Sequence, residues 1–381
     1  MDKKIGKIIL ILFFSNAIIY FYNNKILKYK KYIKTCRQKR FINPIKPEII
    51  FLSICIPAYN MEKYIESSLL SIINQSFEFF EIIIVNDNSY DNTENIINKM
   101  QLKDKRIKYI NHPKNLGVYA SRADAILNAN GKYILLMDPD DILMNQDLFK
   151  ELFIYNQKLN LDIIEFLVYH QEEGKNNMIF PKPHWLNHFH NFDKNIIYQP
   201  ELSEIIYYEP NSKNYSQIIC RTIWNKLIRK EIMLNAINYL NNDYFKNQFL
   251  IAADDTPINI LAFQFANNYS NVKIQGYLYI LREDGMSNDN KGNIKHDIIL
   301  SYNFLLYFKF LYRYVKKFKK NLNFFVYDFK PFSVYLRKLK DLNATEYIPM
   351  ALKFFRILSK RKKIKLLNQL VDELINYFLE S

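Results

Sequence analysis

The sequence predicts an α/β protein built on a mostly parallel, doubly wound sheet. Three observations carry that expectation. First, short apolar runs alternate with stretches of helical apolar spacing from Ile49 to Val168. This rhythm marks parallel strands covered on both faces by helices. Second, the runs end in Asn-, Asp-, Ser- or Pro-containing segments that favour turns. Third, Asp138-Pro139-Asp140-Asp141 directly follows the run Tyr133 to Met137. Carboxylates after a central strand sit where open α/β sheets bind ligands.

The elements follow in order. Ile49 to Ile56 is nearly continuous apolar sequence and reads as the first strand, with Pro57 expected to end it. Met61 to Asn74 has helical spacing through Tyr64, Ile65, Leu69, Ile72 and Ile73. Glu81 to Val85 is the second strand, with Asn86-Asp87-Asn88-Ser89 as its turn. A helix from Asp91 to Met100 can be capped by Asp91. Ile107 to Ile110 is the third strand, and Leu116-Gly117 leads into a helix from Tyr119 to Ala129. The fourth strand, opened by Gly131, runs into the acidic tetrad, and Asp162 to Val168 is the fifth. Residues 170–200 read as loops over a site, and residues 203–300 mix helices with short strands. From about Ile298 the pattern is helical, apolar and basic.

Composition narrows the function classes. The 381 residues suggest one large domain or two ordinary ones. The net charge of +15 resolves into +10 over residues 1–50, +11 over 301–381 and −6 between them. Basic ends around a mildly acidic middle suit a membrane surface better than a nucleic-acid groove. No nucleic-acid signature appears, so no such partner is expected. Cys36, Cys55 and Cys220 form neither a metal-ligand pattern nor a disulfide framework.

Ile8 to Tyr22 is almost wholly apolar and follows Lys3, Lys4 and Lys7. The expected organisation is a single-pass membrane anchor over 1–24 and a basic linker over 25–48. A main domain then spans 49–297, with halves at 49–170 and 171–297, before a helical basic region at 298–381. The lysines and arginines after the anchor place the main domain on the cytoplasmic side. Sequons at Asn74, Asn214, Asn268 and Asn343 would argue for the lumenal side, but a chain this rich in Asn is expected to contain them by chance, and the side of the membrane stays open.

Two carboxylates in a tight turn can share one hard cation such as Mg²⁺ or Mn²⁺, with phosphate oxygens completing its shell. The other reading of the tetrad is an acidic turn capping a helix after Ile142. Asp87 can accept a hydrogen bond from a nucleobase imide or a ribose, or serve its turn. Arg122 can pair with diphosphate or form a surface salt bridge. Asp254-Asp255, followed by Pro257, reads by itself as an acidic helix start stabilised by the dipole. Trp224 can stack on a sugar or fill the core.

Four groups of residues together resemble glycosyltransferase family 2: Pro57-Ala58-Tyr59-Asn60, Glu81 to Ser89 with Asp91 and Thr93, Asn115-Leu116-Gly117 with Arg122, and Met137 to Asp141. Residues 50–170 carry most of the likeness. It implies an inverting enzyme with a nucleotide-binding GT-A fold. In that family the residue matching Asp87 contacts the base, that matching Asp138 the ribose or the metal's water shell, and that matching Asp140 the metal.

The resemblance extends through Cys220 to Leu227, similar to a tryptophan-asparagine-lysine segment of members acting on surface polysaccharides or glycoproteins. It also includes Ala252 to Pro257, similar to the Glu-Asp motif whose Asp is the catalytic base. Asp254 stands where Glu is usual, and Asp255 takes the base position. Tyr279 to Arg282, with Ser287, resembles a loop that closes over the diphosphate.

The implied donor is a nucleotide-sugar, UDP-linked by family frequency. The implied acceptor is a hydroxyl of a glycan, glycoprotein or lipid. One alternative is a sugar nucleotidyltransferase, but Ser53 to Asn60 lacks the Gly- and Lys-rich phosphate loop that enzyme wants. The other is an inactive membrane-bound carbohydrate binder, against which the carboxylates at 87, 138, 140 and 255 argue.

Overall fold

Strand burial sets the architecture. In β1 (Leu52–Ala58), β2 (Phe80–Asn86) and β4 (Tyr133–Leu136) every residue is buried. Side chains alternate between two cores, as period-two strands require. Cys55, Ile83, Val85, Ile134 and Leu136 face one cluster. Ile54, Ile56, Ile82, Ile84 and Leu135 face the other. Burying each large side chain contributes roughly 1.5–3 kcal/mol, so a one-residue slip of register would forfeit both cores at once.

The computed structural model describes residues 50–175, 178–179, 196–199, 222–252, 254–282 and 294–318. The expected anchor, the basic linker, residues 180–195, Ser287 and the region from 319 onward lie outside these residues. The remaining strands are β3 (Ile107–Asn111), β5 (Ile142–Leu143), β6 (Ile163–Glu172), β7 (Met178–Ile179), β8 (Ile197–Tyr198), β9 (Lys226–Arg229) and β10 (Asn268–Leu281). The helices are α1 (Ile65–Ile73), α2 (Thr93–Lys103), α3 (Val118–Leu127), α4 (Leu148–Leu159), α5 (Lys230–Asp243), α6 (Asp255–Phe265) and α7 (Ile294–Lys317). Among the described residues no helix is long and apolar enough to cross a membrane.

The sheet runs β3-β2-β1-β4-β9-β6-β10-β5, with β7 on β6 and β8 on β10. β1 to β4 are mutually parallel. β9 is antiparallel to both β4 and β6. Two reversals restore the direction, so β6 points with β4, and β10 is parallel to β6. Six strands therefore deliver their carboxyl ends to one edge. The long ladders are parallel as expected, and the antiparallel pairings cover two or three residue pairs each.

Three local expectations need correction. Pro57 does not end β1, which pairs with β2 through Pro57↔Val85 to Ala58↔Asn86. It ends only the pairing with β4, which stops at Cys55↔Leu136. Proline has no N–H for the next bond on that side, so the chain after Met137 is free to turn away. Ile142 starts a short strand paired with β10, and the helix begins at Leu148. β10 is also not short: its 14 residues pass through two register shifts.

Candidate active site

The loops after β1 and β2 are laced together. Asn60 takes a left-handed backbone, φ 56°, which short polar side chains tolerate. Its amide donates to Ser89 Oγ at 3.0 Å, and its Oδ1 accepts from the Tyr90 amide at 3.1 Å. Asp91 accepts from the amides of Thr93 and Glu62, both at 3.0 Å. Burial alone would raise the Asp91 carboxyl, but bonds from Thr93 and Glu62 outweigh it and hold the group below its ordinary value. Tyr59 and the 83 % exposed Tyr90 meet edge to face at 6.1 Å above this lacing. Asn60 and Asp91 thus fix the loops that present two aromatic rings.

Asp87 lies deeper and is 3 % exposed. Its Oδ1 accepts from the Leu116 amide at 2.8 Å and lies 2.7 Å from His112 Nδ1. Its Oδ2 accepts from the Gly117 amide at 2.7 Å. One carboxylate therefore fastens the end of β2 to the loop that starts α3. Gly117 makes the next junction possible. Its φ is +92°, and a Cβ there would come within 2.4 Å of the Leu250 carbonyl oxygen. A glycine lets α3 begin directly against the segment leading to Asp254.

Arg122, on α3, is the hub. It is buried, not a surface salt-bridge residue. Nη1 reaches both oxygens of Asp254, at 3.0 and 2.8 Å. Nη2 reaches Asp138 Oδ1 at 2.8 Å. Burial opposes the guanidinium's charge, but Asp254, Asp138 and Asp255 more than offset it and raise its proton affinity.

Asp255 opens α6 and accepts from the Thr256 amide at 2.8 Å. Burial first, then Asp254, push its carboxyl up to about 6, against the pull of Arg122. The preceding segment is held from α7: Asn303 Oδ1 accepts from the Ile251 and Ala252 amides, and its Nδ2 donates to the Phe249 carbonyl.

The acidic turn is anchored from β10. The Tyr277 hydroxyl donates to Asp141 Oδ2 at 2.7 Å and accepts from the Asp138 amide at 3.1 Å. The Ile280 amide donates to Asp141 Oδ1 at 2.9 Å. Asp141 is thus buried framework, and burial followed by Asp140 raises it well above the ordinary carboxyl range. Arg282, just past β10, places Nε 2.7 Å from Asp140 Oδ2 and its guanidinium 4.6 Å over the Tyr64 ring. Burial and then Asp138 push Asp140 up to about 6.

Among the described residues, the basic groups paired with the carboxylates at 138, 140, 141, 254 and 255 are Arg122 and Arg282. Among the described residues no group of three His, Cys, Asp or Glu is placed to hold a metal alone. The donor set nevertheless fits a hard divalent cation that takes one or two carboxylates and completes its shell with substrate oxygens. Asp138 and Asp140 supply such oxygens in one turn, and the surplus of carboxyl groups leaves charge for a cation to neutralise.

The structure thus brings Asp138, Asp140, Arg122, Asp254, Asp255 and Arg282 into one polar cluster at the sheet edge. Pro57 is buried beside it, with Tyr59, Asn60, Asp87 and Asp91 in the neighbouring loops. Trp224 fills the core, the second of its two readings. It is 5 % exposed and stacks on Tyr277 at 4.8 Å and on Tyr279 at 5.4 Å. Its ring supports the tyrosine that anchors the acidic turn. Asn225 and Lys226 are also buried, bonded around Glu165. Sequence reading missed His112, Tyr277 and Asn303, whose partners are far away in the chain. Only the His112-Pro113 step before Asn115-Leu116-Gly117 offered a local hint.

Comparison with known proteins agrees with this geometry. The family model for Glycosyl transferase family 2 matches residues 53–234. An uncharacterised glycosyltransferase of Haemophilus influenzae is 41% identical over 101 residues, 26% of this chain and 40% of that protein. The Bacillus subtilis glycosyltransferase EpsJ is 27% identical over 237 residues, 62% of each chain. This chain thus covers from 40% to 62% of the length of these two relatives. The crystal structure of S. aureus TarS 1–349 in complex with UDP-GlcNAc superposes with a TM-score of 0.51 at 19% identity, over 87% of this chain and 92% of that one. At that identity the likeness is one of fold. With its six carboxyl-directed strands and the acidic turn at their edge, the chain carries a glycosyl transferase family 2 domain on the GT-A fold.

Proposed function

We propose that this chain is an inverting, divalent-metal-dependent glycosyltransferase that moves a sugar from a nucleotide-sugar to a hydroxyl of a glycan, glycoprotein or lipid. The observation that carries this reading is the Arg122 bridge. One guanidinium joins Asp138, beside the donor loops, to Asp254, beside the candidate base. A UDP-sugar is the proposed donor, in keeping with the UDP-GlcNAc bound by TarS.

The chain's residues divide the work. Tyr59 and Tyr90 offer ring faces to a base, and Asp87, through Oδ2 and the loop it holds, frames the imide edge. Arg122 and Arg282 supply guanidinium groups for the diphosphate. Asp138 and Asp140 would hold Mn²⁺ or Mg²⁺, whose chemistry is to neutralise the departing diphosphate. Asp255 takes the acceptor hydroxyl's proton. The acceptor oxygen then forms its bond to the anomeric carbon from the opposite face. The carbon–phosphate-oxygen bond breaks, the diphosphate leaves with the electron pair, and the configuration inverts.

A panel of nucleotide-sugars tests the reading. Metal-dependent release of nucleoside diphosphate, abolished by Asp140→Ala, is expected. Pyrophosphate release from a nucleoside triphosphate would point instead to a nucleotidyltransferase. Residues 1–24 are proposed as a membrane anchor, 25–48 as its linker, 49–297 as the catalytic domain and 298–381 as a basic helical region. Release of the full chain from membranes by alkaline carbonate would overturn the anchor.

A further inference from the structure

We propose that His112 is a positioning residue of the donor site: clamped between Asp87 and Asp124, it sets the angle at which α3 presents Arg122. The inference rests on the transferase reading for its consequence but on geometry for its substance. His112 is 4 % exposed and follows β3. Its amide donates to the Asn86 carbonyl at 2.9 Å, which fixes the residue beside the end of β2. Nδ1 lies 2.7 Å from Asp87 Oδ1, and Nε2 lies 3.0 Å from Asp124 Oδ2. Both ring nitrogens thus lie within hydrogen-bond distance of a carboxylate, one on each side of the ring.

The ring is therefore a strut between the β2 edge and α3. Asp87 fixes the start of α3 through Gly117, and Asp124 fixes its second turn through His112. Arg122 lies between these two ties. Two attachments on one short helix hold its position along and about its axis, beside the packing of Tyr119, Ala123, Ala125 and Ile126 into the core. Arg122 must meet Asp138 and Asp254 at the same time, and a small rotation of α3 would break one of those contacts.

Asp124→Asn keeps the shape and removes one charged partner. His112→Asn keeps a donor near Asp87 and loses the reach to Asp124. With both proteins folded, donor KM is expected to rise about tenfold with kcat changed by less than about threefold, since a misplacement of about 1 Å can cost up to ~100-fold. The double variant should be no worse than His112→Asn, because both remove the same tie.

Hydrogen exchange on the ligand-free proteins supplies a readout that needs no turnover. Faster exchange is expected in 118–122 and also in 252–256, across the Arg122 bridge. Faster exchange confined to 112–117, or an unchanged donor KM in both folded variants, would overturn the proposal. If the parent protein releases no nucleoside diphosphate from any donor, the transferase reading fails, and the exchange pattern alone still decides the role of His112.

Discussion

Two acidic pairs face each other across Arg122, and they are handled differently. In the turn after β4, Asp138 pairs with Arg122, which it shares with Asp254, and Asp140 pairs with Arg282. At the start of α6, Asp254 takes both oxygens to Arg122, while Asp255 has a backbone amide and, among the described residues, no bonded arginine. The first arrangement suits holding charged ligands, because its arginines would be released to phosphate wherever a cation took the carboxylates. The second leaves Asp255 raised to about 6 with no arginine bonded to it among the described residues, whereas Asp140, raised to the same level, has Arg282. Adjacent residues of the same type thus acquire different chemistry from whatever faces them.

The largest expected effect falls on Asp255. Asp255→Asn should lower kcat by roughly 10²–10⁴-fold, the range of a general base, while nucleotide affinity by calorimetry stays within a few-fold. Equal losses in binding and turnover would assign Asp255 to the ligand-holding side instead.

Removing the bridge should collapse the distinction between the pairs. Arg122→Met strands Asp254 in a buried site and is expected to cost about 3–5 kcal/mol in urea unfolding. A loss below about 1 kcal/mol, the range of surface pairs, would show that the bridge matters little to the fold.

The support behind Asp255 offers a gentler perturbation. Asn303→Ala leaves the amides of Ile251 and Ala252 without their acceptor and should cost about 1–3 kcal/mol. Exchange should quicken in 249–252 and leave the acidic turn untouched. Trp224→Phe should cost less, about 1–2 kcal/mol of stability, with acceptor KM unchanged. A selective rise in acceptor KM would restore Trp224 to the acceptor site.

The smallest effects come from pH. At saturating Mn²⁺, activity should rise along a limb near pH 6 as Asp255 loses its proton, and that limb should vanish in Asp255→Asn. Stability carries the opposite sign. The folded-state values of Asp255 and Asp140 lie above the ordinary ~4, so these groups subtract stability as pH climbs from ~4 through about 6. Glu81, Asp91 and Asp104 are held below their ordinary values and contribute stability at neutral pH that is lost on acidification. Urea midpoints between pH 4 and 7 should sharpen when Asp255→Asn removes one of the opposing groups.

Much of this was legible in the chain. The apolar runs around Ile54, Ile83 and Leu135 set strands, period and cores, because covered parallel strands must be apolar on both faces. The turns at 57–60, 86–91 and 138–141 could be placed together at one edge, since parallel strands deliver their ends together. Tertiary structure alone decided the rest. No local pattern could show that Arg122 and Asp254, 132 residues apart, are bonded to each other. Nor could it show that Trp224 lies against Tyr277, or that His112 ties β2 to α3. Burial and partner charge fix whether a carboxyl holds a ligand or takes a proton, and both are properties of the folded neighbourhood.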